Sequence, residues 1–180
     1  MAHSKRQAAT KQFQHNPSVH PFEQYLTHLA AIRNTGAATP ETSFYPPLAE
    51  LLNAIGQTLK PKVRAVNQLA NTGAGIPDGG LFAESQFKKR GDAEPLPGQM
   101  LERGVIEIKS PKEEVAAIAD TKQITKYWQK YKLVLVTNYR DFLLVGERDG
   151  KPVPLESYRL AESESAFWAL AAHPRKAATE

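Results

Sequence analysis

Apolar positions along the chain recur first at helical and then at strand spacing. Phe22, Tyr25, Leu26, Leu29 and Ile32 share one face of a helix predicted over His20–Arg33. "NTGAATP" breaks it. Leu48, Leu51, Leu52, Ile55 and Leu59 form the apolar stripe of a second helix within Glu41–Leu59. Pro46 and Pro47 fall in or near its first turn, where a missing N–H is tolerated. Val63–Leu69 reads as a strand, followed by the glycine-rich "ANTGAG" and a short strand around Ile76–Phe82. Residues 83–103 are polar with two prolines and predict a long exposed loop.

Gly104–Lys109, Gly-Val-Ile-Glu-Ile-Lys, is predicted as a strand with an acid and a base set into an apolar run. Alternation puts Ile106 and Ile108 on one face, and Val105, Glu107 and Lys109 on the other. Glu113–Lys130 then reads as one helix, Leu133–Thr137 and Asp141–Gly146 as strands joined through "NYRD", and Ser163–Ala172 as a last helix. The order indicates an α/β domain with a central mixed β-sheet flanked by helices. Its expected limits are residues 20–172. Residues 1–19 read as a flexible basic arm, and residues 173–180, "HPRKAATE", as the start of a linker to a further region.

A chain of 180 residues with 41% hydrophobic and 23% charged residues is long enough for one real core. No apolar run approaches a membrane span, and no apolar stretch follows the basic start as a secretory signal requires. The absence of cysteine excludes disulfides, thiolate metal sites and a cysteine nucleophile, and suits a reducing cytoplasm. The net charge of +4 is compatible with a polyanionic partner without being diagnostic. Its placement says more. Lys5, Arg6 and Lys11 precede any acid, Lys88, Lys89 and Arg90 form a run, and Lys122, Lys126 and Lys130 recur every fourth residue on one helix face. Each cluster alone is ordinarily a solvated face.

Taken singly, Pro77-Asp78-Gly79 is a turn signature. Glu107-Ile108-Lys109 equally fits an edge strand with one solvated face. Together, a Pro-Asp beside one strand and a Glu-x-Lys on the next resemble the order of the PD-(D/E)XK nuclease motif, which implies phosphodiester hydrolysis. A hard divalent cation neutralises phosphate and needs only one or two carboxylates besides its waters. Asp78 and Glu107 would supply these, the Ile108 carbonyl a further oxygen, and Lys109 would hold or activate a water and offset developing charge. Burying such charges is costly unless they are paired or bound to metal.

These residues, in this order, resemble the PD-(D/E)XK nuclease motif. Their separation is at the longer end of the usual range, and the 83–103 loop accounts for the excess. "QITKYW" resembles the Gln-x-x-x-Tyr element of nucleases related to the RecB nuclease domain, which implies that Gln123 and Tyr127 contact substrate, with Lys126 beside them. The stretches "ETSFYPPLAELLNAIGQTLKPKV", "GAGIPDGGLF", "GVIEIKSP", "QITKYW" and "LVLVTNYRDFLLVG" resemble the N-terminal nuclease domain of restriction–modification or phage-defence proteins fused to an adenine-specific DNA methyltransferase.

The resemblance implies a restriction-endonuclease-like core and Mg²⁺ as cofactor, with Mn²⁺ as a substitute. It implies double-stranded DNA as partner, cut by an endonuclease whose methyltransferase and specificity regions lie elsewhere in the parent chain. A homodimer stays open as the route to double-strand cleavage. It also implies an acid ahead of the sheet that joins the metal site, for which Glu41 is preferred over Glu50. The rival expectation is a catalytically inactive nuclease-fold module that binds DNA or serves assembly; a purely structural α/β domain ranks below it. The five histidines show no ligand spacing, and "NTGAGIPDGG" lacks the Gly-Lys-Ser/Thr ending of a phosphate loop.

Overall fold

Two apolar faces of one sheet organise the chain. The computed structural model describes residues 19–39, 41–67, 69, 75–87, 95 and 100–179. The basic arm's residues 1–18, residues 71–74 of the glycine-rich connection and the Lys88–Arg90 run lie outside the described residues. Among the described residues six strands, β1 (Val63–Asn67), β2 (Gly79–Ala83), β3 (Val105–Ile108), β4 (Val134–Thr137), β5 (Asp141–Arg148) and β6 (Lys151–Arg159), lie side by side in sequence order. Only β3 and β4 are parallel; every other neighbouring pair is antiparallel. The fold is α/β with a mixed sheet flanked by helices.

Alternation along β3 sorts the helices. Ile106 and Ile108 enter a core with α1 (Pro21–Asn34), α2 (Tyr45–Gly56) and α5 (Glu164–Ala171), centred on Tyr25, Leu29, Leu48 and Phe167. Val105 faces the opposite layer, with Ile124, Tyr127 and Trp128 of α4 (Lys122–Tyr131) and Val134 and Val136 of β4. Burying a side chain such as Phe167 contributes about 1.5–3 kcal/mol. The parallel β3–β4 pair needs a crossover, and α3 (Val115–Ala119) and α4 provide it.

The structure departs from the sequence-based expectation at five places. The helix expected over Glu113–Lys130 is two. Thr121 interrupts it as an N-cap, its hydroxyl accepting from the Ile124 amide, because a threonine side chain can replace a lost helical bond. The strand β6 was not anticipated, since Pro152 and Pro154 argue against strand; it is tolerated because β6 is an edge strand paired only to β5. The strand expected from Ile76 begins at Gly79. The segment 83–103 is not wholly an exposed loop: Gln86, Phe87 and Leu101 are buried, and the Gln86 side chain spans the Ala83 amide and the Met100 carbonyl. The presumed linker start forms a short helix, α6 (Pro174–Ala177), against α1, with Arg175 paired to Glu23 at 3.1 Å.

Gly104, just before β3, has φ +106°, and a Cβ there would meet the Leu133 carbonyl oxygen at 2.4 Å. Gly150, in the β5–β6 turn, has φ +72° with open space around it. Gly104→Ala should therefore destabilise by at least about 2 kcal/mol, combining strain and clash, and Gly150→Ala by about 1 kcal/mol. Urea midpoints of the two variants check the ranking.

Candidate active site

The charged face of β3 is buried at one end of the sheet. Glu107 sits beside Val136 of β4 on the face covered by α4, and only 2% of it is exposed. Lys109, on the same face, donates to Glu107 Oε1 at 2.6 Å. The Lys109 amide donates to the Thr137 carbonyl on the β4 side. The Ile108 amide therefore points to the other edge, toward β2, and its carbonyl shares that direction.

β2 opposes Ile106 with Gly79 and goes no further, so no β2 residue pairs with Ile108 on that edge. Asp78 fills the gap. Its Oδ2 accepts from the Ile108 amide at 2.8 Å, and its Oδ1 accepts from the Tyr45 hydroxyl at 2.8 Å. The Pro-Asp turn thus leads into β2, and the Asp78 carboxylate substitutes for strand pairing. Asp78, Glu107 and Lys109 come together at the point where β2 and β3 part.

The electrostatics carry the same convergence. Burial raises the Glu107 pKa above its ordinary value, the Lys109 hydrogen bond opposes this, and the charges of Asp78 and Glu41 push it further up. For Lys109, burial pulls downward, but the hydrogen bond and charge of Glu107, with Asp78 and Glu41, hold it above the usual lysine value. The shift favours the ammonium form, a hydrogen-bond donor. Glu41 is raised by burial, lowered by Lys109, and raised by Asp78 and Glu113. Glu41 is thereby brought into the electrostatic reach of the cluster.

Glu50 is not simply solvated but pairs with buried His28 at 3.0 Å. His28 is likewise no surface residue. His20 caps α1, accepting from the Phe22 amide.

Gln123 and Tyr127 are neighbours on α4, with Gln123 Nε2 donating to the Tyr127 hydroxyl at 3.1 Å. Tyr127 is buried on the Glu107 face, and its pKa is raised by burial, lowered by Gln123, and raised by Glu107 and Asp78. A Cβ on Gly75 would lie 3.4 Å from its hydroxyl, so the glycine-rich connection passes close by. Lys122 and Lys126 are exposed on α4, while Lys130 is half-buried over the Tyr131 ring. An apolar groove of about 820 Å³, between α2 and the outer strands, contains none of these residues.

Two participants were missed in the sequence. Tyr45 reads as a core aromatic of α2, and nothing local marks its hydroxyl as a partner of Asp78. Glu113 reads as a helix-start acid, yet its charge reaches Glu41.

Among the described residues no group of three His, Asp or Glu is placed to hold an ion. The donors that do converge are all oxygens: two carboxylates and the outward carbonyl of Ile108. Such a set suits a hard cation like Mg²⁺, which retains several waters and does not need a protein cage.

No protein-family model matches the chain, and no curated protein matches it. Among solved structures it is similar to a chain in a cryoEM structure of a DrdV–DNA complex, at 15% identity and a TM-score of 0.48. The similarity covers 84% of this chain and 14% of that one, so this chain corresponds to a small part of that protein's length. No helix among the described residues is long and apolar enough to cross a membrane.

Because burial raises Glu107, the folded state takes up its proton more readily than the unfolded chain. The stability tied to that proton is full below the ordinary glutamate pKa and is lost as pH rises through the raised value. Glu107→Gln mimics the protonated acid. Its melting midpoint should exceed that of the wild type at pH 7, and the two should converge below about pH 4. Equal midpoints at pH 7 contradict a carboxylate held ionised at a cost.

Proposed function

We propose that this domain is a divalent-cation-dependent endonuclease that hydrolyses phosphodiester bonds of double-stranded DNA. The observation that carries the proposal is the meeting of Asp78, Glu107 and Lys109 beyond the end of β2, with Glu41 in electrostatic reach. An acid pair with an ammonium between buried walls is costly to maintain in a fold that makes no use of it. The order of these residues in the chain, with Gln123 and Tyr127 following on α4, supports assignment to the PD-(D/E)XK nucleases.

Asp78 and Glu107, with the Ile108 carbonyl, would hold the cation, Mg²⁺ or Mn²⁺, whose contribution is to neutralise phosphate charge and acidify water. The chain's own groups do the remainder. The Tyr45 hydroxyl and the Ile108 amide orient the Asp78 carboxylate through different oxygens, leaving a lone pair on each. Lys109, held protonated, directs its remaining N–H donors at the attacking water or a phosphate oxygen and offsets charge as the P–O bond breaks. Tyr127, held neutral, offers a hydroxyl to the phosphate backbone, and exposed Lys122 and Lys126 extend a cationic path along α4. Nothing in the cluster reads base edges, so sequence preference would reside in another region. The motif resemblance supports a place as the cleavage module of a restriction–modification or phage-defence enzyme carrying an adenine-specific methyltransferase.

Supercoiled plasmid incubated with Mg²⁺, Mn²⁺ or EDTA tests the activity. Nicking or linearisation should require the cation. Asp78→Ala and Lys109→Ala should each slow it by at least about a hundredfold, with DNA retention in a gel-shift assay largely kept. Cation-independent cutting, or full activity in Asp78→Ala, overturns the assignment. Retention without cutting in any metal, by the full-length parent as well, would instead favour a binding or assembly module.

A further inference from the structure

The β4–β5 turn is an unusual connection. Its three residues, Asn138, Tyr139 and Arg140, and Asp141 at the start of β5 are at most 2% exposed, although turns of polar residues ordinarily face water. Tyr139 adopts φ 73°, a left-handed conformation that a bulky residue rarely takes. Their side chains reach several separate segments. Asn138 donates to the Glu113 carbonyl at 2.6 Å. Arg140 donates to the Pro111 carbonyl at 3.0 Å and pairs with Glu114 and Asp141. Asp141 pairs with Arg159 of β6. Tyr139 donates its hydroxyl to the carbonyl of Glu41, while its own carbonyl accepts from the buried Tyr25 hydroxyl at 2.7 Å.

Two of those targets flank the proposed site. Pro111, Glu113 and Glu114 belong to the segment leaving Lys109, and Glu41 opens the turn that leads to Tyr45, the partner of Asp78. We infer that the 138–141 turn is a positioning hub, in which Tyr139, anchored by Tyr25, sets Glu41 against the Asp78–Glu107–Lys109 cluster. None of the four residues contacts the cluster's carboxylates directly; Tyr139 acts through Glu41. Its hydrogen bond is made to the backbone, so it sets where the Glu41 side chain starts and leaves its charge unaltered. A residue held in a sparsely populated backbone region, with its ring wedged edge-on against Phe44 at 5.5 Å, suits a fixed strut.

This inference rests on the proposed cation site, and one set of titrations separates the two. Mn²⁺ binding is measured by calorimetry on wild type, Asp78→Ala, Glu41→Gln, Tyr139→Phe and the Glu41→Gln/Tyr139→Phe double variant, with melting midpoints alongside. Tyr139→Phe keeps the ring and removes only the donor. It should weaken Mn²⁺ binding about tenfold, and the double variant should be no weaker than Glu41→Gln alone. Tyr25→Phe, which frees the Tyr139 carbonyl, should weaken binding in the same direction and serves if Tyr139→Phe does not fold. A purely structural role predicts a lowered midpoint with unchanged Mn²⁺ affinity in the folded variants, or effects of Glu41→Gln and Tyr139→Phe that multiply; either overturns the inference while leaving the site intact. Mn²⁺ affinity that does not change in Asp78→Ala overturns the cation site and the hub with it.

Discussion

The carboxylate of Asp78 completes the edge of β3. Where β2 ends, the Ile108 amide would be left without a strand partner, and an unpaired amide in this setting costs about 1–3 kcal/mol. Asp78 supplies the acceptor with one oxygen and receives the Tyr45 hydroxyl with the other. That single side chain therefore joins β2, β3 and the start of α2. It also forces an acid to the place where the Glu107–Lys109 face opens. The rest of the cluster follows from it: the strand gap, the outward Ile108 carbonyl, and the convergence of charges carried by four separate segments.

The arrangement works against stability. Glu107 and Glu41 both have their pKa values raised chiefly by burial, so their ionisation at neutral pH opposes folding. Lys109 answers part of this, and its own charge is held by the same carboxylates. Folds ordinarily keep such repulsion only where something is gained from it, and a cation bound among these oxygens would relieve it. The surrounding structure supplies the stiffness. Two apolar layers sandwich β3, and the buried 138–141 turn ties the flanking segments in place through hydrogen bonds from Asn138, Tyr139 and Arg140.

Periodicity made most of the fold legible. The stripes of α1 and α2, the apolar runs of β1, β3, β4 and β5, and the helix over 164–171 are all local patterns, and alternation along Gly104–Lys109 correctly divided its side chains between two faces. What escaped were elements whose local signals point the wrong way. Pro152 and Pro154 argue against a strand that exists because an edge demands pairing on one side only. Thr121 sits inside a helical pattern and ends it. Glu50 and His28 look like solvated residues and are paired with each other.

By itself the sequence determined the α/β class and singled out Asp78, Glu107 and Lys109, because residue type and spacing along a strand are local properties. Only the tertiary structure decided that these three would lie together, that Tyr45 would bind Asp78, that Glu50 would pair with His28, and that the Tyr139 hydroxyl would reach the Glu41 carbonyl from a buried turn. Those pairings join residues tens of positions apart. Their meeting depends on where β2 stops, how the crossover carries the chain from β3 to β4, and which face each helix covers, none of which is written in any short window of the chain.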